Sequence, residues 1–174
     1  MNQPVLDARP LTFDEEQTQQ IDRCLIRLAD KVAAPLVMVS DVSGRLILYR
    51  GRLSGMQSTG LSALAAASFA AGIEMGNFLG LRNTARFKQQ LHEGAVANLY
   101  TVEVGHDLLL IIAFTKQTTL GLVRLFAQEA RQELLNIAEV AALNRDDSTA
   151  SMADLDVDFG DEVSSQLDDL FSDF

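Results

Sequence analysis

The stretch Leu61 to Leu79, LSALAAASFAAGIEMGNFL, constrains this chain most: nineteen residues with a single charge, Glu74. A surface helix keeps a polar half, whereas this one carries Ala, Gly or Ser on nearly every side, the pattern of a helix covered on more than one face. Ala63, Ala65, Ala66, Ala67, Ala70, Ala71, Gly72 and Gly76 let a neighbouring backbone come close. The expectation is a sheet on one side and a second copy of the helix on the other, hence a homodimer. The competing reading is a transmembrane span, since about 20 apolar residues cross a bilayer. Weakly hydrophobic Ala, the buried charge that Glu74 would become, and Arg82 standing three residues past the end favour a soluble helix and no membrane insertion. Met1 to Pro10 lacks a charged start followed by an apolar run, so no secretory signal is expected and a cytoplasmic location follows by default.

At 174 residues and 48% hydrophobic content, one domain with a real core is expected. The net charge of −10 is unevenly placed. Residues 144–174 hold ten acids against Arg145, so residues 1–143 carry a net charge of only −1. A nearly neutral body and an acidic tail give no electrostatic footprint for nucleic acid. The lone Cys24 can form no intramolecular disulfide or Cys-based metal cluster, and its setting reads as core packing.

Taken in order, residues 1–11 form a flexible lead-in with two prolines, and a domain over 12–143 follows. Thr12 with Glu15 three residues on resembles a capping box, and Ile21, Leu25, Leu28 and Val32 fall at helical spacing up to Pro35. Leu36 to Val39 and Leu46 to Tyr49, joined by Asp41-Val42-Ser43-Gly44, read as a β-hairpin. A Gly- and Ser-rich loop, Gly51 to Gly60, leads to the apolar helix, for which Ser58 or Thr59 is the expected cap. Arg86 to Leu91 reads as a polar edge strand, Ala95 to Val104 and Leu108 to Phe114 complete a meander, and Thr118 or Thr119 caps a last helix running to about Leu143. Its stripe is Val123, Phe126, Ala130, Leu134, Ile137 and Ala141. The order α-β-β-α-β-β-β-α predicts an α+β fold: one five-stranded antiparallel sheet, the first and third helices on one face and the second on the other.

The tail, 144–174, has the composition of a disordered segment. Within 161–174, Val163, Leu167, Leu170, Phe171 and Phe174 fall at i, i+4, i+7, i+8 and i+11, which would align them on one face of an amphipathic docking helix for a further protein partner. The plainer reading is a solvated acidic tail with incidental apolar residues.

Chemistry has little to work with, and no catalytic, cofactor-binding or metal-binding residue is assigned. His92 and His106 sit in predicted turns without a carboxylate or Cys at ligand spacing, and Cys24 lies mid-helix with nothing to activate it. Gly51, Gly55 and Gly60 lack the Gly-Lys-Ser/Thr ending of a phosphate loop. Arg45, Arg50 and Arg52, with Arg82, Arg86 and Lys88, read either as an arginine finger supplied in trans or, more plainly, as strand-end solubility and ion pairing.

The element order, the hairpin LVMVSDVSGRLILYRG with its D-x-x-G turn, the small-residue helix and the run LLLIIAF before a long last helix resemble the roadblock/dynein light chain family, in particular its prokaryotic, MglB-like members. The resemblance covers about Phe13 to Leu143 and implies the roadblock architecture, related to profilin and longin folds. It also implies a homodimer in which third strands pair and second helices lie side by side, through Leu64, Ala65, Ser68, Gly72, Arg86, Phe87, Lys88, Gln89 and Leu91. The implied function is non-catalytic regulation of a small Ras-like GTPase, as a GTPase-activating protein or scaffold, with Ser62, Ala66, Glu74 and Asn77 as the exposed partner-binding positions. The alternative is a dimeric adaptor that presents its acidic tails to a larger assembly, with no GTPase involved.

Overall fold

The computed structural model describes residues 10–81 and 85–144. The fold is α+β, with helix α1 (Glu15–Lys31), strands β1 (Leu36–Asp41) and β2 (Leu46–Gly51), helix α2 (Gly55–Phe78), strands β3 (Gln89–His92), β4 (Ala97–Val104) and β5 (Leu108–Thr115), and helix α3 over residues 120–144. The strands form one antiparallel sheet in the order β2-β1-β5-β4-β3. The expected docking helix 161–174 and the residues after 144 lie outside the described residues, as do residues 1–9.

Side-chain alternation along the central strands sorts the core into two layers. Val37, Val39, Leu108, Leu110, Ile112 and Phe114 face α1 and α3. Leu36, Met38, Leu109 and Ile111 face α2 and meet Ala65, Ala66 and Phe69. β1 and β5 are therefore buried on both faces, which is why they read as continuous apolar runs.

Three boundaries differ from the sequence expectations. The cap of α1 is Asp14: its carboxylate accepts from the Gln17 backbone N–H at 2.7 Å, and Gln17 Oε1 accepts from Asp14 N–H at 3.0 Å. This reciprocal box satisfies two orphan donors and displaces the Thr12/Glu15 alternative. Helix α2 starts at Gly55, six residues before the apolar stretch, because Ser54 and Gln57 form a second such box. Ser58 and Thr59 are not caps; each hydroxyl donates back to the Gly55 carbonyl. β3 begins at Gln89 rather than Arg86; the last bond before it is Glu103 N–H to the Lys88 carbonyl, and Arg86 pairs with Glu103 through its side chain. For the last helix, Thr119 Oγ1 accepts from Leu122 N–H at 3.4 Å, as a cap does. Among the described residues no helix is long and apolar enough to cross a membrane.

The β1–β2 turn fixes where α2 sits. Ser62 Oγ donates to the Gly44 carbonyl at 2.8 Å, and a Cβ on Gly44, at φ +93°, would lie 2.8 Å from the Ala63 Cα. Gly44→Ala therefore combines left-handed backbone strain, about 1–2 kcal/mol, with displacement of α2. It is expected to lower stability by about 2 kcal/mol or more, read as a lower urea midpoint at unchanged slope.

Candidate interaction surface

Helix α2 buries Ser58, Ser62, Ala65, Ala66, Phe69, Gly72 and Gly76 against the sheet and the turn. Small side chains on this inner face let the helix approach closely, and the two serines satisfy their hydroxyls on backbone carbonyls. The opposite face carries Met56, Gly60, Ala63, Leu64, Ala67, Ala70, Ala71, Glu74 and Phe78, all exposed. Met56 is 88% exposed, Leu64 71% and Phe78 91%. An apolar face of this length left open to water is the signature of an interaction surface.

The structure sorts the sequence-derived positions into two groups. Leu64 and Glu74 lie on the open face, with Asn77 half-buried and donating to Glu74 at 3.3 Å. Ser62, Ala66, Ala65 and Gly72 turn inward, so the expectation that Ser62 and Ala66 are exposed is corrected. Ser68 is half-buried, 3.2 Å from His92 Nε2. Ala63, Ala67 and Ala71, named from the sequence only among the small residues of the helix, belong to the open face, and Met56 and Phe78 join them without having been singled out; the Ser54-x-x-Gln57 box was the signal that would have extended the helix to Met56.

Beside α2, β3 is the last strand of the sheet, and among the described residues no strand pairs with its outer edge. Phe87, Lys88 and Gln89 are exposed there and Leu91 is half-buried. A hollow of about 280 Å³ between helix and strand is lined by Phe69, Gly72, Met75, Phe87, Gln90 and Leu91. Open helix face, hollow and outer edge are contiguous.

The arginines are largely committed within the chain. Arg45 pairs with Asp41 at 3.0 Å and donates to the Leu11 carbonyl, Arg50 pairs with Asp22 at 2.5 Å, and Arg86 pairs with buried Glu103. Arg86 also approaches His106 Nδ1 at 3.3 Å. Both histidines are exposed, but His92 ends β3 instead of lying in a turn. Burial, reinforced by the charge of Glu133, pushes the Cys24 thiol up to about 12, which withholds the thiolate that chemistry would need. Among the described residues no cluster of three His, Cys, Asp or Glu could hold a metal ion.

The chain is similar to the solved structure of Myxococcus xanthus MglB, at 34% identity and a TM-score of 0.67, covering 75% of this chain and 96% of that one. The chain belongs to the MglB family. It is similar, too, to an MglB in a tetrameric arrangement, at 26% identity and a TM-score of 0.69, covering 77% of this chain and 99% of the other. A Roadblock/LC7 domain from Streptomyces avermitilis shares the fold of this MglB-family chain, at 15% identity and a TM-score of 0.54 over 71% of this chain and 95% of that domain. No protein-family model matches the sequence, and no curated protein matches it.

The turn that sets α2 depends on charge. Burial would raise the Asp41 carboxyl, but hydrogen bonds from Ser43 and Arg45 outweigh it and hold the carboxyl below its ordinary value. A depressed folded-state value stabilises the fold above the unfolded carboxylate's pKa of about 3.9, and that contribution is lost as pH falls through the folded value. Asp41→Asn is expected to cost about 1–3 kcal/mol at neutral pH. The gap to the parent protein should close as unfolding is followed below about pH 3.9.

Proposed function

We propose that this MglB-family chain is a homodimeric, non-catalytic regulator of a small Ras-like GTPase, assembled through the open face of α2. The observation that carries the reading is that face itself, 24 residues of helix that the described residues cover on one side only. Its residues are arranged evenly about Ala67. An antiparallel second copy centred there sets Met56 level with Phe78, Gly60 level with Glu74 and Ala63 level with Ala71. Small residues then occupy the centre, where axes must come closest, and large apolar ones close the ends. Gly60 leaves room for the Glu74 side chain at the seam. The β3 edge and the hollow beside it, including Phe87, Lys88, Gln89 and Leu91, extend the same contact.

A two-fold contact of this kind is isologous and presents one continuous two-helix surface to a partner. Family membership supports a Ras-like GTPase in that role, and the tetrameric arrangement described for one MglB supports self-association.

Ala67→Glu tests this directly. It places two carboxylates at the axis, a buried unpaired charge that costs about 3 kcal/mol or more, so dimer dissociation should strengthen by roughly 100-fold. Sedimentation would show a monomer of unchanged fold, and acceleration of GTP hydrolysis by a Ras-like GTPase from the same organism should fall with it. A monomeric variant that stimulates hydrolysis as fully as the parent overturns the reading. Failure of both proteins to bind the GTP-loaded GTPase favours the adaptor alternative.

A further inference from the structure

The sheet has a second outer strand, β2, and among the described residues no strand pairs with its outer edge either. Leu46, Ile47, Leu48 and Tyr49 are half-buried there, four apolar residues in a row on a six-residue strand. The register with β1 slips at Ile47, after which Leu48 to Gly51 pair regularly. Proteins cover or blunt such an edge, because its unmade N–H and C=O groups recruit another strand. Beyond residue 144 the sequence holds a stretch of strand period, Asp154-Leu155-Asp156-Val157-Asp158-Phe159, in which three apolar residues alternate with three aspartates before Gly160.

We infer that residues 154–159 add to the outer edge of β2, parallel to it, as a sixth strand. Direction comes from α3. Arg131 donates to the Glu103 carbonyl and Leu135 lies beside Gly105, so α3 and β4 run the same way. β4 is antiparallel to β5, β5 to β1 and β1 to β2, which makes α3 antiparallel to β2. A chain that turns back after residue 144 therefore runs parallel to β2.

Hand then selects the edge. β2 and β3 are parallel strands at opposite margins of the sheet, joined by α2 across one face. A connection from β5 through α3 to residues 154–159 is a second crossover, on the opposite face. Crossovers between parallel strands are right-handed with few exceptions. Two of one hand on opposite faces must travel opposite ways, so the second leads toward β2. At the β3 edge the same segment would need the rare left hand.

Reach and side chains agree. Residues 145–153 span up to about 30 Å when extended, more than twice the width of α1, about 10–12 Å, which is the element to be passed. On the α1 face of β2, Leu48 stands opposite Val39, and Arg50 bonds to Asp22 of α1. Ile26, one turn beyond Asp22, is 42% exposed. Leu155, Val157 and Phe159 continue the row of Leu48 beside it. The aspartates point to the other face, between Arg45 before the strand and Arg52 after it, both exposed. Arg45, Arg50 and Arg52 against Asp41 and Asp22 leave this margin with one positive charge in excess, which the three aspartates meet. The mode is strand addition, with main-chain bonds for affinity and alternate side chains for fit. It does not rest on the dimer contact proposed above, which uses α2 and the β3 edge.

Amide hydrogen exchange of the full chain reads the edge. Val157→Pro removes a donor and breaks strand geometry in the added segment while leaving the contacts of the body untouched. It should speed exchange over residues 46–51 by about tenfold or more and leave residues 89–92 unchanged. Cross-linking reads the geometry in chains that also carry Leu48→Cys. One or more of Leu155→Cys, Val157→Cys and Phe159→Cys should close a disulfide within a single chain at any dilution, whereas Asp154→Cys, Asp156→Cys and Asp158→Cys should not. Native Cys24 is buried and supplies no background. Unchanged exchange over 46–51 in Val157→Pro, equal acceleration at both edges, or closure without that alternation overturns the proposal. So does a Leu48→Cys variant that links to a second copy of itself, which would give the edge to β2 of another chain.

Discussion

Everything in this structure depends on how closely α2 can approach the sheet. The contact between Ser62 and the Gly44 carbonyl, with no Cβ on Gly44 to keep Ala63 away, seats the helix on the turn that joins β1 and β2. Asp41 holds that turn with four hydrogen bonds from Ser43 and Arg45. Once α2 is seated, Leu36, Met38, Leu109 and Ile111 are covered, and the opposite side chains of the same strands demand a second layer. Helices α1 and α3 supply it. The fold is thus a sheet that cannot be stable with either face bare.

The second layer is joined by polar contacts at its rim. Arg27 meets Glu133 at 2.5 Å, Lys31 meets Glu129 at 2.8 Å, and the Lys31 ammonium sits 4.7 Å from the centre of the Phe126 ring. These groups are largely exposed, so each pair contributes no more than about 1 kcal/mol. Their role is register: they fix which turn of α1 lies beside which turn of α3. Leu25, Leu28, Leu134 and Ile137 beneath them supply the burial.

Much of the architecture was legible because two periods are plain in the chain. The 3.6-residue spacing of Ile21, Leu25 and Leu28, and of Val123, Ala130, Leu134 and Ile137, marks helices that bury one stripe. The apolar runs of β1 and β5 mark central strands. Helix starts were misplaced because Asp14/Gln17 and Ser54/Gln57 cap through side-chain geometry, and several Ser, Thr and Asp residues nearby compete for that role on paper. The facing of α2 was read only in part. A helix with Ala, Gly and Ser all round carries almost no contrast between faces, so Ala65, Ala66 and Gly72 could not be told from Ala63, Ala67 and Ala71. Ser62 misled for a related reason: its hydroxyl suggests water, yet it is fully buried on a carbonyl.

Helices α1 and α3 run antiparallel, so Asp14 and Asn144 line the same groove, on the side of the sheet away from α2. The described chain therefore leaves the body at the back. In a dimer with second helices side by side and β3 edges in contact, as proposed above, the two sheets would run on from one another and both exit points would lie on the face away from the α2 pair.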